Sequence, residues 1–336
     1  MAKPPRLKRG DTVGIVSPSW AGAGAHPQRV QKGIAYLESL GFRVRIAPHA
    51  LGKPGLLTEA PASRASDLHD LFLDDSVRAI VATKGGDHTC ELLPLLDYGL
   101  IRAHPKIVMG YSDISVLNVA IWKETGLTTF NGPMLLPELA EHPRLLEYTE
   151  RSLLATLCSA SPPGCIEPAT WWTEEWVDWG LADHQLAPRS GRGSDGWTWL
   201  REGRSEGVLL GGCLESLQHL RGTRFWPDWS GSILFLETSE QAPSPAWVDA
   251  ILVDYDNMGI LRKLRGLLFG RPMRYSDPQR RELREVIIRR TQAYGFPVVA
   301  DMDFGHTAPQ FVLPVGCKAR IDSGDRSFAI IEPAVA

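Results

Sequence analysis

Short apolar segments alternate with amphipathic segments along the first 130 residues of the chain. Runs rich in Val, Ile and Ala predict four buried strands, at residues 12–17, 43–47, 78–83 and 106–109. Apolar residues at helical spacing predict three helices between and after them, at residues 26–40, 61–73 and 116–123. Strand–helix alternation at this spacing implies βαβ units, so we expect a parallel sheet in this half of the chain.

The periodicity is lost at residues 155–170, which contain three prolines. This predicts an N-terminal domain at 1–155, a linker at 156–170 and a C-terminal domain at 171–336. Later patterns predict two helices and five strands, with helices at 245–258 and 277–293 and strands at 232–236, 266–269, 297–300, 319–322 and 327–331. The predicted class is therefore α/β, with a Rossmann- or flavodoxin-like first domain and a mixed α/β second domain.

The composition is that of a soluble globular protein, with 43% hydrophobic and 22% charged residues. The 36 basic and 39 acidic residues give a net charge of −3, which argues against general nucleic-acid binding but not against one small nucleotide ligand. No apolar stretch has the length of a membrane span or a signal peptide, so we expect a cytoplasmic protein without a membrane partner. The five cysteines are scattered and form no CxxC pair, which favours reduced thiols, and no metal or cofactor is predicted.

A turn of small residues follows the strand predicted at 106–109. It reads Gly110-Tyr111-Ser112-Asp113 and leads into a predicted helix. Ligands bind at the carboxyl ends of parallel strands, and a tight strand–helix turn of this kind would expose the Ser112 hydroxyl as a nucleophile. The following amide, of Asp113, would then point at a developing oxyanion. Ile114 replaces the second glycine of G-x-S-x-G, and the alternative is that Ser112 or Asp113 caps the helix.

A second turn, Gly85-Gly86-Asp87, follows the strand predicted at 78–83. Two adjacent glycines allow a close approach of the backbone to a ligand, and Gly86 is the candidate for a second oxyanion donor. The loop could equally bind phosphate or simply reverse the chain. It lacks the patterns of dinucleotide and triphosphate sites.

A serine nucleophile needs a base and an acid. His306 follows a predicted strand within Asp303-Phe-Gly-His-Thr, and His88 is its nearest rival. Glu237 ends the apolar run SILFLE, where a carboxylate is costly without a partner, and Glu240 is the fallback. The alternatives are a structural histidine and a strand-end carboxylate that reaches solvent.

Three of these motifs, in the order G-Y-S-D-I, I-L-F-L-E and G-H-T-x-P, resemble the serine peptidase family of murein LD-carboxypeptidases and microcin C immunity carboxypeptidases. The opening LKRGDTVGIVSPS, the GGD loop, NGPM at 131–134 and the segment 209–223 match as well, so the resemblance covers nearly the whole chain. It implies a Ser-His-Glu triad, which falls on Ser112, His306 and Glu237. It also implies a homodimer.

Six of the eleven tryptophans lie at residues 171–199, in an otherwise polar segment. Within the family this segment resembles the microcin-immunity branch, in which the loop lies over the active site and a tryptophan stacks on adenine. The resemblance implies Trp179 as the first choice for that role and Trp172 as the second. Aromatic faces in a polar loop suit stacking against a base, although large aromatic residues also pack loops onto domains.

Two positions depart from the family pattern. Cys213 stands in Gly211-Gly212-Cys213 where relatives commonly have Asn, and no basic residue closely follows Glu237. We therefore expect a different aminoacyl preference. The resemblance implies a serine hydrolase that cleaves aminoacyl- or peptidyl-adenylate mimics of the microcin C type. The alternatives are murein tetrapeptide LD-carboxypeptidase activity and a catalytically silent peptide- or nucleotide-binding protein.

Overall fold

A computed structural model describes residues 2–52, 58–181 and 183–336. The first half of the chain contains the strands β1 Thr12–Val16, β2 Arg43–Ile46, β3 Val77–Ala82, β4 Ile107–Met109 and β5 Thr129–Asn131. Its helices are α1 Pro27–Ser39, α2 Pro61–Leu73, α3 Tyr98–Ala103, α4 Ile114–Thr125 and α5 Glu147–Leu157. Short 3-10 segments at Gly22–Ala25 and Thr89–Leu95 and a π-turn at Leu135–Leu139 connect them.

The second half is richer in strands. They are β6 Gly164–Ile166, β7 Trp171–Trp172, β8 Arg192–Gly193, β9 Thr198–Arg201, β10 Arg204–Cys213, β11 Ser232–Glu237, β12 Gly266–Gly270, β13 Val298–Met302, β14 Leu313–Val315, β15 Lys318–Asp322 and β16 Ser327–Ile330. The helices are α6 Leu214–Leu217, α7 Pro245–Asn257 and α8 Asp277–Thr291, with 3-10 turns at Asp183–Gln185, Gln218–Leu220 and Leu261–Lys263.

The first sheet has six strands in the order β14-β5-β4-β3-β1-β2. The strands β1 to β5 run parallel, which confirms the predicted parallel sheet. The edge strand β14 comes from the far end of the chain and pairs antiparallel with β5. Both strands are only three residues long, which is too short for a periodic pattern, and neither was predicted from the sequence.

The second sheet has eight strands in the order β6-β16-β15-β10-β11-β12-β13-β9. Its centre, β10 to β13, is parallel, and its outer pairs are antiparallel, so the predicted mixed α/β class is confirmed. All six residues of β11 (SILFLE) are buried, as expected for a strand covered on both faces. Strand β6 lies inside the predicted linker at 156–170 and pairs with β16. The domain boundaries themselves stay predictions.

The two sheets meet at the carboxyl ends of their parallel strands. Helix α4, which follows β4 of the first sheet, contacts the end of β10 in the second sheet, where the Cys213 amide donates to Ser115 Oγ at 3.0 Å. This contact brings the loops after β3, β4, β11 and β13 to one place, the position at which open parallel sheets bind ligands.

Within the described ranges, none of the helices has both the length and the apolar character that crossing a bilayer requires.

Candidate active site

The turn between β4 and α4 presents Ser112 in a rare backbone conformation. Its φ is +59°, in the left-handed region that residues other than glycine seldom occupy. Gly85, in the loop after β3, lies directly against it: a Cβ on Gly85 would sit 2.8 Å from Ser112 Oγ. The hydroxyl is partly exposed and lines a cavity, which is the environment the sequence predicted for a nucleophile.

Asp113 occupies the N-cap position of α4 but does not cap it. Its carboxylate makes no hydrogen bond to the first turn of the helix. Instead Oδ2 accepts from Ser19 Oγ at 2.6 Å and from the Thr89 amide at 2.8 Å, and Ser19 Oγ in turn accepts from the His88 amide at 3.1 Å. Asp113 is fully buried and ties the loops after β1 and β3 to the serine turn. Ser19 was not singled out from the sequence, although its place three residues after β1 was a signal.

His306 and Glu237 come from the second sheet and meet Ser112. His306 Nε2 lies 3.1 Å from Ser112 Oγ, and Nδ1 lies 2.7 Å from Glu237 Oε2. Glu237 is fully buried at the end of β11, and the loop after β13 must pass very close to it. Gly305 makes this possible, since its φ is +96° and a Cβ there would lie 2.6 Å from Glu237 Oε2. The structure therefore brings together the three residues that the sequence singled out.

Two further side chains contact the imidazole of His306. Glu240 Oε2 lies 3.2 Å from Nε2, and the Tyr111 ring packs edge-on with its centroid 4.9 Å from that of the imidazole. Burial disfavours the charged imidazolium, but Glu237 and Glu240 outweigh it and raise the pKa of His306 to about 10. The hydrogen bond from His306 and its charge lower the pKa of Glu240 to about 2, although burial opposes this.

Tyr111 is itself fixed by a buried carboxyl group. Its hydroxyl donates to Glu138 Oε1 at 2.9 Å, and Glu138 Oε2 accepts from the Met134 amide at 2.9 Å. Burial raises the pKa of Glu138 to about 7, while these hydrogen bonds oppose the shift. Neither Tyr111 nor Glu138 was singled out from the sequence, although Tyr111 precedes the candidate serine.

His88, the rival base, faces elsewhere. Its Nδ1 lies 3.3 Å from Glu91 Oε1, and it is not among the described residues that line the cavity with Ser112. The geometry gives no support to His88 as the partner of Ser112. Glu240 was the alternative to Glu237 as the acid. Its carboxylate lies at Nε2 of His306, whereas that of Glu237 lies at Nδ1, so the two carboxylates are not interchangeable.

Gly86 lines the cavity together with Ser112, and Asp113 directly follows the serine. Gly86 has a φ of +152° and lies so close to Ser19 that a Cβ would come within 2.5 Å of its hydroxyl oxygen. In the part of the chain that the structure describes, neither amide donates a hydrogen bond to another protein group. The predicted role of these two amides as oxyanion donors therefore stays a prediction.

The cavity around Ser112 has a volume of about 320 Å³, in the range of small-molecule sites. One wall is aromatic and is formed by Trp20, Trp176 and Trp179. Trp176 and Trp179 stack with their ring centroids 5.6 Å apart. The Lys84 ammonium lies 5.0 Å from the Trp20 ring and 5.3 Å from the Trp179 ring. Trp20 was not predicted, although it follows β1 by four residues.

Trp172, the second choice for a stacking residue, does not line this cavity. It is 9% exposed and lies among three guanidinium groups, 4.7 Å from Arg280, 5.0 Å from Arg271 and 5.4 Å from Arg192. Its neighbour Thr173 exchanges two backbone hydrogen bonds with Ala308, at 2.7 and 2.9 Å. Trp172 thus packs the tryptophan-rich segment beside the loop that carries His306. This fits the alternative interpretation, in which large aromatic residues pack a loop onto its domain.

Another part of the cavity lining is polar and acidic. It includes Cys213, Glu215, Ser239 and Gln241. Glu215 Oε1 accepts from the Ser239 amide at 2.9 Å and from its hydroxyl at 2.7 Å, and burial raises the pKa of Glu215. Despite these carboxylates, no cluster of three or more His, Cys, Asp or Glu side chains in the described residues is arranged to hold a metal ion.

Two family models match this chain. The LD-carboxypeptidase N-terminal domain matches residues 13–132, and the LD-carboxypeptidase C-terminal domain matches residues 206–321. The chain belongs to the LD-carboxypeptidase family, as the resemblance implied.

Individual relatives are similar over nearly their whole length. A putative carboxypeptidase of Bacillus subtilis, YocD, is 32% identical over 95% of this chain and 95% of its own. A probable murein peptide carboxypeptidase of the same organism is 32% identical over 99% of this chain and 95% of its own. The microcin C7 self-immunity protein MccF of Escherichia coli is 29% identical over 97% of this chain and 94% of its own. A solved structure of MccF with aspartyl sulfamoyl adenosine has a TM-score of 0.92, 29% identity and full coverage of both chains.

Proposed function

We propose that this protein is a serine hydrolase of the carboxypeptidase type, with Ser112 as nucleophile, His306 as base and Glu237 as the acid of the triad. The observation that carries the proposal is the unbroken chain of contacts from Ser112 Oγ to His306 Nε2, 3.1 Å, and from His306 Nδ1 to Glu237 Oε2, 2.7 Å. The strained turn that carries Ser112 into the lining of a cavity adds to it.

In this mechanism Ser112 Oγ attacks the substrate carbonyl while His306 Nε2 takes its proton. The amides of Gly86 and Asp113 donate to the oxyanion of the tetrahedral intermediate. His306 then gives the proton to the leaving group, which departs and leaves an acyl-serine. Water repeats the sequence and releases the acid. Glu237 fixes the imidazole through Nδ1 and stabilises its positive charge at each proton transfer.

The substrates we propose are aminoacyl- or peptidyl-adenylate mimics of the microcin C type, cleaved in self-immunity or detoxification. Trp179 supports this choice because it lines the cavity beside Trp20 and Trp176 and can stack against a base. The solved structure of the relative MccF with aspartyl sulfamoyl adenosine adds a second argument for a small nucleotide-containing ligand.

The second candidate is a murein tetrapeptide LD-carboxypeptidase. It is favoured by the 32% identity to a probable murein peptide carboxypeptidase, which extends over 99% of this chain. A peptide would use the same serine machinery but would leave the aromatic wall without a base to stack on.

A mass-spectrometric hydrolysis assay tests the proposal. The protein is offered a panel of aminoacyl-sulfamoyl adenosines and, separately, a murein tetrapeptide. We expect release of the nucleoside product from at least one adenosine compound and none from a Ser112→Ala protein. Turnover of the tetrapeptide alone would favour the second candidate. Binding without turnover of any compound would favour a silent binding protein. The homodimer and the cytoplasmic location stay predictions.

A further inference from the structure

Glu240 competes with Ser112 for the same nitrogen of His306. Nε2 lies 3.1 Å from Ser112 Oγ and 3.2 Å from Glu240 Oε2. Glu240 belongs to the loop after β11, and its side chain is 30% exposed toward the cavity. A carboxylate is a stronger acceptor than a hydroxyl, so an N–H at this nitrogen is held by Glu240 rather than shared equally.

This arrangement determines the protonation state of the imidazole. Ionised carboxylates only accept hydrogen bonds, and one lies at each ring nitrogen: Glu237 at Nδ1, 2.7 Å, and Glu240 at Nε2, 3.2 Å. Both nitrogens must therefore carry a proton, which makes the ring an imidazolium. An imidazolium has no lone pair with which to take the proton of Ser112, so the ligand-free arrangement is not ready for catalysis.

The charges around His306 explain why it stays protonated. Besides Glu237 and Glu240, the imidazole contacts the ring of Tyr111, whose hydroxyl is hydrogen-bonded to Glu138. Glu237 Oε1 is buried and accepts no hydrogen bond from the described residues. Loss of the proton would leave the carboxylates of Glu237 and Glu240 without a cation in contact, which low-dielectric surroundings penalise.

Other charged groups near Glu240 do not replace the imidazolium. Lys84, from the loop after β3, acts on Glu240 only at a distance, and its ammonium lies over the rings of Trp20 and Trp179. Arg274, from the loop after β12, donates to the Glu240 carbonyl oxygen at 3.3 Å rather than to its carboxylate. Glu215 is on the same side and adds negative charge, its carboxylate hydrogen-bonded to Ser239, the residue before Glu240.

We propose that Glu240 holds His306 as an imidazolium in the ligand-free protein, and that a positively charged group on the acyl part of the substrate releases it by taking over the carboxylate of Glu240. A lysyl, arginyl or other diamino acyl group is the chemical class that fits. The substrate's cation compensates Glu240 and Glu215, the Nε2 proton of His306 passes to solvent water, and the neutral Nε2 becomes the base for Ser112. We call the stabilisation of the His306 imidazolium by Glu240 the clamp. The part of the proposal that concerns the substrate rests on the proposed function, whereas the clamp does not.

Histidine NMR of the ligand-free protein tests the clamp without any substrate. The imidazole signal of His306, assigned by its loss in His306→Gln, is followed as a function of pH. We expect it to titrate near pH 10 in the unaltered protein. In Glu240→Gln the midpoint should fall by about one to two units, because one of the two neighbouring charges is gone. Glu282→Gln, an exposed position on α8, is the control and should not move it.

An unchanged midpoint in Glu240→Gln, or a midpoint near the ordinary histidine value in the unaltered protein, overturns the clamp. Reactivity of Ser112 with a neutral phosphonylating reagent gives a second readout. At pH 7 the Glu240→Gln protein should be labelled about 10- to 100-fold faster, since its base is neutral in a larger fraction of molecules. A residue with a purely structural role would lower this rate when replaced.

The part of the proposal that concerns the substrate is tested with a matched pair of compounds, lysyl- and norleucyl-sulfamoyl adenosine, which differ by the ammonium group. We expect the unaltered protein to prefer the lysyl compound in kcat/KM by about tenfold or more at pH 7. Glu240→Gln and Glu215→Gln should both reduce that preference. Equal rates for the two compounds, or a preference for a glutamyl compound, overturn it. Turnover of none of them, with the NMR shift present, would refute the proposed adenylate substrate and leave the clamp established.

Discussion

The proposed triad and the aromatic wall of the cavity are built in different ways. In the triad, Glu237 ends the parallel strand β11, Ser112 and His306 follow β4 and β13 by a few residues, and Asp113 anchors the serine turn through buried hydrogen bonds. On the aromatic wall, Trp176 is 52% exposed and is held by ring contacts. The proposed catalytic residues are thus held by the two sheets, while the proposed stacking residues belong to a loop. Changes in the loop can alter what is bound without moving the reacting groups.

The cavity lining also carries charges of both signs. Lys84 and Arg29 lie over the Trp179 ring, whereas Glu215 and Glu240 are acidic residues of the cavity lining. Cations beside an aromatic ring and carboxylates elsewhere in the lining suit a ligand with an electron-rich aromatic end and a cationic end.

The largest effect on activity is expected at Ser112 of the proposed triad. Ser112→Ala removes only a hydroxyl, so the fold and the binding of substrate should persist while turnover falls about 10⁴-fold or more. Hydrolysis followed by mass spectrometry, with binding measured by calorimetry, checks both parts. Ser230→Ala, an exposed serine outside the cavity, should behave like the unaltered protein. Substantial residual turnover, or labelling of another serine by a phosphonylating reagent, would place the nucleophile elsewhere.

The next effect is expected at Glu237. Glu237→Gln keeps the size of the side chain but removes the charge that stabilises the imidazolium, so kcat should fall by about 10²- to 10⁴-fold. KM should change little, because Glu237 is fully buried and does not line the cavity. Steady-state kinetics give both constants. A variant that retains kcat, or one that loses affinity instead, would show that Glu237 supports the loop structure rather than the base.

The proposed triad could be predicted from the sequence because the patterns that mark its residues are local. Ser112 and His306 both stand in short glycine-containing turns directly after apolar runs, and Glu237 ends one. Strand ends of a parallel sheet converge, so three separated motifs could be expected to meet. The fold class followed from the same alternation of strand and helix patterns.

The remaining parts depended on long-range contacts that no local pattern encodes. Strand β14 pairs with β5 across more than 180 residues, and both are three residues long. The contact of Glu240 with Nε2 of His306 also arises only when the loops after β11 and β13 pack together. Trp172 and Trp179 look alike in the sequence, and only the arginines around Trp172 distinguish an anchor from a cavity-lining residue.

A smaller effect is expected at the aromatic wall. Trp179→Ala should lower kcat/KM by about 5- to 150-fold for adenosine-containing substrates, mainly through KM, because stacking binds substrate and transition state alike. A substrate with the same acyl group and no base should be nearly unaffected. The comparison of the two substrates, measured as a ratio of kcat/KM values, isolates stacking. Equal losses for both would mean that Trp179 supports the loop, and no loss would direct attention to Trp20 and Trp176.

The smallest effect on substrate discrimination is expected at Trp172. Its replacement should nevertheless destabilise the fold more than the replacement of Trp179. The ring is nearly buried and lies among three guanidinium groups, so Trp172→Ala should lower the free energy of unfolding by about 3–5 kcal/mol. Below the melting temperature, activity on adenosine-containing and on base-free substrates should fall by the same factor. The reason is that Trp172 positions the tryptophan-rich segment as a whole and contacts neither substrate. Denaturant unfolding and the same pair of substrates measure the two quantities. A selective loss for the adenosine compound, with stability intact, would instead make Trp172 a stacking residue that the ligand draws into the cavity.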